Sequence, residues 1–309
     1  MEVLKENPLL DFHPDTLEAV RKLYNLDKPG VMREAIDILD SWIKQQNHFT
    51  KKDFNRDYLE RYIIRSKGSV ERAKDHLDKM CASRTLVPHF FSDCDVNSPY
   101  LANIEDIFLP KLTKDYYRVY FVQNCEREFT HELFNALYKR IVYKMEYICM
   151  HDYACGIIIV ADLRKANLFE LVKHMNITDL AHWLNLLLGG FGFRLKGFYF
   201  ITTSKFVDSL LTIMKSIASK KIGDRIQVLK NIEELHDHVD KDILPEEYGG
   251  TEVSRKALHE KWQNIIGSEE YKLDMDKINE AKTNEELRLK DSQNYQMGLP
   301  GTFRSLKVD

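Results

Sequence analysis

Two histidines near the C-terminal third carry the residue types that metal sites use. His236 and His238 alternate with Asp237 and Asp240, and imidazole together with carboxylate is a set that binds zinc. Polar side chains of this kind are mostly solvent-exposed in folded proteins. We therefore interpret the four residues as surface residues at a helix end and expect no metal site.

A second candidate for catalysis is His151-Asp152 followed by Cys155. A thiol beside an imidazole acts as a nucleophile once the base removes its proton. The segment also lies where a predicted helix gives way to a predicted strand, and we favour its interpretation as a turn. His174 and His182 lie on predicted helix faces and are interpreted as structural. The chain has no GxSxG, HExxH, Walker or kinase motif, so we expect no catalytic residue and no enzymatic activity.

The sequence also contains no pattern typical of a dinucleotide cofactor site or of a disulfide framework. The glycines at 189–192 follow a predicted helix and precede a predicted strand, whereas a dinucleotide loop requires a strand, then glycine, then a helix. The five cysteines have no CxxC spacing, which is typical of reduced thiols in a cytosolic protein. We expect no cofactor.

Composition narrows the class of protein further. Of the 309 residues, 44% are hydrophobic, which is enough for one large domain or two of ordinary size. A net charge of −3 argues against a nucleic-acid binder, although it is compatible with a local basic patch. The apolar stretch 184–193 is too short to span a membrane, and residues 1–10 do not look like a signal peptide. We expect a cytoplasmic protein.

The first third of the chain predicts a helical unit. Apolar residues such as Ile36, Leu39 and Ile43 recur at helical spacing. Pro14 and Pro29 stand at first-turn positions, which tolerate proline. The predicted helices cover 14–26, 29–46, 53–65 and 69–83.

From residue 116 onward, predicted strands alternate with helices, which indicates a mostly parallel sheet with helical crossovers. The run GIIIVA at 156–161 is apolar throughout and predicts a strand buried on both faces. The charged stretch 269–309 predicts an extended arm anchored by Phe303 and Leu306. The predicted strands are 116–122, 156–161, 195–202 and 225–229, and the predicted helices are 130–150, 167–188 in two pieces, 204–218 and one that begins at Asn231.

Several sequence motifs follow the order found in one known family. They are GIIIVAD at 156–162, RLKGFYFIT at 194–202, KKIGDRI at 220–226 and LPEEYGG at 244–250. Upstream, DYLERYIIR at 57–65 with SVERA at 69–73 is similar to the family's helical module, and the ending at 301–309 is similar to that of insect members. The chain resembles the CRAL-TRIO lipid-binding family, and within it the members that resemble tocopherol transfer protein and cellular retinaldehyde-binding protein.

The chain departs from the family pattern at three places. Gly192-Phe193 stands where the family has Tyr-Pro, and Ser216 stands where it has proline near the end of its gate helix. Arg164-Lys165 replaces a family glycine. Loss of the proline should smooth the kink after the gate helix, which bears on how the gate opens and leaves the fold unaffected.

The resemblance implies an α/β fold. A CRAL-TRIO lipid-binding domain, with a mostly parallel sheet, flanking helices and a lid helix, would follow an all-α N-terminal domain. The implied boundaries are 1–85 for the helical module, 86–252 for the lipid-binding domain and 253–309 for a C-terminal helix and extended arm.

The resemblance also implies a closed apolar pocket under a mobile lid, lined by the helix at 130–150 and by two strands. For each wall residue, ordinary core packing is an open alternative to ligand contact. The same alternative applies to the lid, whose apolar residues cover more than one helix face. The expected wall residues are Phe134, Leu137, Tyr138, Ile141, Met145, Ile157, Ile159, Phe198 and Phe200, and the expected lid residues are Phe206, Val207, Leu210, Leu211, Ile213, Met214 and Ile217.

Some members of the family carry a basic cleft that binds phosphoinositide headgroups. Lys221 and Arg225 are four residues apart and would share one face of a helix. Arginine grips phosphate through a pair of N–H donors and lysine acts as a point charge. Solvated surface charge is the alternative interpretation. By position, the residues that match the cleft are Lys67, Arg194, Lys221 and Arg225, with Lys196 and Lys220 as neighbours.

Taken together, the resemblance implies a monomeric carrier of one hydrophobic small molecule, such as a retinoid, a tocopherol-like lipid or another isoprenoid. It would contact anionic or phosphoinositide-containing membranes transiently and would bind no nucleic acid. A scaffold or lipid-sensing module with the same fold but no transfer activity is the alternative, motivated by Gly192-Phe193 and Ser216.

Overall fold

The N-terminal part of the protein is a four-helix unit, seen in a computed structural model that describes residues 4–288. Side-chain caps define where two of the helices begin: Asn55 accepts a hydrogen bond from the Asp57 amide, and Ser69 accepts one from the Arg72 amide. All four predicted helices are confirmed, each with slightly different ends. They are α1 (Thr16–Leu23), α2 (Val31–Gln45), α3 (Arg56–Arg65) and α4 (Val70–Leu86).

A five-stranded sheet follows, with its strands in chain order. β1 (Ile104–Phe108) pairs antiparallel with β2 (Tyr117–Asn124), while β3 (Gly156–Asp162), β4 (Leu195–Ile201) and β5 (Ile226–Leu229) continue the sheet in parallel. Every residue of β3 is buried, as its continuous apolar run predicts. The mostly parallel α/β fold is confirmed, and β1 is an edge strand that the sequence pattern did not predict.

Seven helices accompany and follow the sheet in the described part of the chain. Two predictions for this region were wrong. The helix expected from Asn231 is only a short 3₁₀ turn at Glu233–Asp237, and the arm expected from 269 begins as a helix that buries Tyr271 and Met275. Phe303 and Leu306, the expected anchors, lie outside the described residues. The helices are α5 (His131–His151), α6 (Leu168–His174), α7 (Ile177–Asn185), α8 (Val207–Ile217), α9 (Lys220–Gly223), α10 (Arg255–Ile266) and α11 (Glu269–Asn279).

Buried ion pairs fix α5 against its neighbours. Arg140 Nη2 and Lys144 Nζ of α5 lie 2.7 and 2.9 Å from the carboxylate oxygens of Asp106 on β1. On another face of α5, Glu146 pairs with Arg84 of α4, and both side chains are fully buried. Removing one partner of such a pair typically costs about 3–5 kcal/mol, because the other charge stays buried alone. The position of α5 is therefore set by charge pairing as well as by apolar packing.

Candidate functional site

The inner face of the sheet is the face that α5 covers. Asp106, which pairs with α5, accepts a hydrogen bond of 2.9 Å from the Tyr120 hydroxyl, so Tyr120 lies on this face. Tyr120 pairs across the sheet with Ile159, and Ile159 pairs with Phe198. Directly opposed residues point to the same face. Ile159 and Phe198 therefore face α5 as well.

The strand residues expected to line a pocket lie together on this inner face. Ile157 and Ile159 alternate along β3, and Phe198 and Phe200 alternate along β4. The rings of Phe198 and Phe200 lie 4.7 Å apart between centroids, and all four side chains are buried. These four residues form a continuous apolar surface.

The α5 residues expected to line the pocket form a second apolar group. Phe134 and Tyr138 stack with 6.4 Å between ring centroids, and Tyr138 lies 6.2 Å from the ring of Trp183 on α7. Ile141 and Met145 continue the buried stripe one and two turns later, while Leu137 is half-buried beside it. The α5 group belongs to the same hydrophobic cluster as the strand group. Eight of the nine expected wall residues are thus part of the hydrophobic core that runs through the described chain, and Leu137 packs at its edge.

The helix expected to act as a lid is α8. It buries Val207, Leu210, Met214 and Ile217, whose spacing of three and four residues is that of a single helix face. Leu211 and Ile213 are half-buried beside that face. The apolar surface of α8 is thus one broad stripe with a polar side.

Two aromatic rings project where α8 begins. Phe206 caps the helix and is 48% exposed, and it lies 5.2 Å from the ring of Phe169 on α6, which is 49% exposed. Exposed large apolar side chains that touch one another form a patch, and such patches mark contact surfaces more often than isolated ones do. α6 and α8 together present this aromatic pair to solvent.

Two departures from the family pattern have structural counterparts. Ser216 lies in the last turn of α8, where its hydroxyl donates to the Ile213 carbonyl at 2.7 Å. The helix ends at Ile217 and the backbone is extended at Ala218 before α9 begins, so the smoothing expected from the loss of the proline is not seen. Gly192 has a φ of +70°, and a Cβ there would lie 2.4 Å from Nδ1 of His76 on α4. Glycine is therefore required at this position by both its backbone and its neighbour.

Five cations form what we call the basic cluster. Burial lowers the pKa of the Lys67 ammonium, and the positive charges of Lys221, Arg194, Arg72 and Arg225 lower it further. A like charge must be close to exert this effect. Within residues 4–288, none of the five forms an ion pair with a carboxylate. Lys221, Arg194 and Arg225 thus lie within electrostatic range of Lys67, the fourth expected headgroup residue.

The basic cluster differs from expectation in two details. α9 ends at Gly223, so Lys221 and Arg225 do not share a helical face; the guanidinium of Arg225 instead donates to the Leu195 carbonyl at the start of β4. Arg72 is an additional member, and its position three residues after the Ser69 cap was visible in the sequence without a reason to single it out. Lys196 lies nearby, with its ammonium 5.4 Å from the ring centre of Tyr117.

The side chains considered for catalysis have ordinary environments. Burial raises the pKa of the Cys155 thiol to about 11, which opposes formation of a thiolate at neutral pH. His236 bonds to the Tyr248 carbonyl at 2.8 Å, and His238 stacks on Tyr199. Among the described residues, no group of three or more histidine, cysteine or acidic side chains has the arrangement of a metal site. No helix in that part of the chain has the length and apolar character needed to cross a bilayer.

Comparisons with known proteins agree with this architecture. Residues 106–250 match the CRAL/TRIO domain, and residues 28–101 match a domain described as Pinta-like, UBA domain. Alpha-tocopherol transfer protein-like proteins of Mus musculus, Pongo abelii and Homo sapiens are each 28% identical over 97 residues, which is 31% of this chain. The matched stretch spans 28% of the length of each relative. The crystal structure of Sfh5 matches with a TM-score of 0.47 and 14% identity, over 84% of this chain and 98% of that one.

The family prediction made from the sequence motifs is confirmed. The matched domain begins within β1 and ends at Gly250, so it contains the remaining four strands, α5, α8 and the motif LPEEYGG. The chain therefore carries a CRAL/TRIO domain over residues 106–250.

Proposed function

We propose that this protein binds one hydrophobic lipid between α5 and the inner face of the sheet and carries it between membranes. The observation that supports the proposal most directly is the continuous apolar surface that Ile157, Ile159, Phe198 and Phe200 form on the sheet face that α5 covers. Burial of apolar ligand surface contributes about 25 cal/mol per Å², so capture needs no charged contact. The ligand class that we favour is a retinoid, a tocopherol-like lipid or another isoprenoid, and no bond is made or broken.

The second half of the proposal concerns membranes. The basic cluster would bind an anionic headgroup such as a phosphoinositide, because arginine and lysine together provide forked and point-charge contacts to phosphate. The exposed Phe169–Phe206 pair would enter the lipid surface at the other end of α8, since phenylalanine side chains insert at the headgroup boundary of a membrane. The aromatic pair lies where α8 begins and the basic cluster lies beyond its end.

A scaffold or lipid-sensing module without transfer activity is the second candidate. It is motivated by the departures from the family pattern at Gly192-Phe193 and at Ser216. The cargo experiment below separates the two functions.

Purified protein should carry a lipid that native mass spectrometry detects and organic extraction releases. Ile159→Phe should lower its occupancy, or its uptake of added retinol or tocopherol, at least several-fold, because the larger ring fills space on the inner face. Ile158→Phe is the matched control, since Ile158 is a buried neighbour on the opposite face of β3. Both changes add the same volume and should cost a similar 1–3 kcal/mol or so. Empty protein that takes up neither lipid would contradict transfer.

Lys221→Ala combined with Arg72→Ala should weaken binding to phosphoinositide-containing vesicles by about tenfold or more at low salt. The difference should shrink as salt is raised, because exposed charges are screened within about 10 Å at 0.1 M ionic strength. Lys256→Ala, an exposed lysine on α10, is the control for loss of net charge. Equal vesicle binding by all three proteins would rule out the headgroup role.

A further inference from the structure

A cleft separate from the proposed lipid site lies beside the N-terminal half of α3, whereas the basic cluster lies beyond the C-terminal end of that helix. It has a volume of about 810 Å³ and is enclosed by the segment 4–8, the first turns of α3, the end of α5 and the junction of α10 with α11. A smaller cleft of about 270 Å³ adjoins it, and the two share Asn55, Arg61, Met150 and Asp274. Neither cleft contains a residue of the lipid site proposed above.

Arg61 is the unusual residue of this cleft. Only 9% of its surface is exposed, yet within residues 4–288 it forms no ion pair with a carboxylate. Its Nε donates to the Cys149 carbonyl at 3.2 Å and its Nη1 donates to the Tyr153 hydroxyl at 3.0 Å. Nη2 makes no hydrogen bond in the described part of the chain. A buried guanidinium is normally paired, so a missing counter-charge points to an acidic ligand group.

The remainder of the cleft restricts what that ligand can be. The nearest acidic neighbour in sequence, Glu60, is already paired with Arg21 at 2.7 Å. The cleft is lined by four further carboxylates but by only one further lysine or arginine, Lys5. A ligand that carries only negative charge would therefore be repelled. A ligand that is only cationic would face Arg61. The four carboxylates are Glu6, Asp57, Glu270 and Asp274.

Aromatic side chains complete the lining. Tyr147, Tyr153 and Tyr271 are each buried to more than nine-tenths and border the cleft. Tyrosine rings and carboxylates together recognise ammonium groups, through the negative face of the ring and through direct charge pairing. The exposed carboxylates at the rim are therefore suited to a cation, and the buried Arg61 guanidinium, which lies 5.0 Å over the Tyr153 ring, is suited to an anion.

We propose that this cleft binds a zwitterion, with an acidic oxygen on Arg61 and an ammonium group between the tyrosines and the rim carboxylates. A phosphate diester of ethanolamine has this chemistry, whether it belongs to a membrane lipid or to a free metabolite. The site is separate from the lipid site and the basic cluster, so it adds a second ligand to the protein.

The test is calorimetric titration of the full chain with three soluble probes. Glycerophosphoethanolamine should bind at least tenfold more tightly than glycerophosphoglycerol, which has the same diester without the ammonium, and than ethanolamine, which has no acid. A charge-assisted hydrogen bond typically changes affinity by about 10- to 100-fold. Equal affinity for the zwitterion and either partial probe, or no saturable binding, would overturn the proposal.

Variants locate the binding. Arg61→Gln should reduce affinity for glycerophosphoethanolamine at least tenfold and Arg61→Lys should reduce it less, while Asp57→Asn, an exposed change, should reduce it several-fold without affecting folding. Lys256→Ala, an exposed change on α10 outside both proposed sites, should bind as the wild type does. The assignment would be overturned if Asp57→Asn and a correctly folded Arg61→Gln both bound glycerophosphoethanolamine with the affinity of the wild type.

Phosphatidylethanolamine vesicles then separate the two sources of the same chemistry. If Arg61→Gln loses binding both to these vesicles and to glycerophosphoethanolamine, the site is assigned to a membrane lipid. Loss of diester binding alone assigns it to a free metabolite.

Discussion

At the scale of single residues, function and stability make opposite demands on Lys67. Its backbone is in the left-handed region, with φ at +57°, which costs an L-residue with a side chain about 1–2 kcal/mol. Four other cations also act on its ammonium and lower its pKa in addition to the effect of burial. A lysine that is unfavourable in both respects is retained more readily at a binding site than at a structural one.

Lys67→Gly should therefore separate stability from binding. Glycine adopts positive φ without strain, so the free energy of unfolding should stay level or rise by up to about 1 kcal/mol, as measured by urea denaturation. Binding to phosphoinositide vesicles should fall in the same protein. Lys67→Ala is the matched control, because it loses the charge and keeps the strained backbone. A glycine variant that is clearly less stable than the alanine variant would contradict this account.

At the scale of elements, α4 carries a histidine that cannot easily accept a proton. Burial and the nearby cations Lys79, Arg65 and Arg72 together lower the pKa of His76 to about 4, against the opposing charge of Asp75. Its Nδ1 lies 3.0 Å from the Ser66 hydroxyl, and Gly192 packs against its ring. α4 thus meets the segment before β4 through an uncharged imidazole.

This arrangement predicts acid sensitivity. The unfolded chain takes up a proton at His76 near pH 6.5, whereas the folded protein resists protonation until about pH 4, so stability should fall as the pH drops through this interval. The loss attributable to His76 should approach about 3 kcal/mol. His76→Gln keeps a hydrogen-bonding group without a titration. Urea denaturation at pH 7 and pH 4.5 should show a smaller loss in the variant, and equal losses would refute the assignment.

Sequence patterns predicted most elements because their signals are local. Helical periodicity located α1 to α8, and the apolar run of β3 predicted a strand buried on both faces. β1 was missed because Glu105 and Asp106 interrupt its apolar pattern, and only the fold shows that Asp106 is neutralised by Arg140 and Lys144. α11 was missed because its buried residues are few and widely spaced among charges.

At the scale of the whole molecule, the sites that have a local sequence signal could be predicted and the site without one could not. Motif order identified the family and the segments that surround the inner face, and family position brought four members of the basic cluster to notice. The Arg61 cleft could not be predicted, because its lining comes from segments as far apart in sequence as residues 4–8 and 274. Arg61 itself lies in an ordinary helical motif, and only the folded structure shows that no carboxylate within residues 4–288 pairs with it.

The buried ion pairs of α5 also bear on how such a protein can diverge. Arg140, Lys144 and Glu146 hold the helix on two sides, so a shift of its backbone by even one residue would strand several charges. Substitutions at Phe134, Tyr138, Ile141 or Met145 change the shape of the apolar surface without touching those charges. Selection for a new cargo can therefore proceed one side chain at a time, on a backbone that stays where it is.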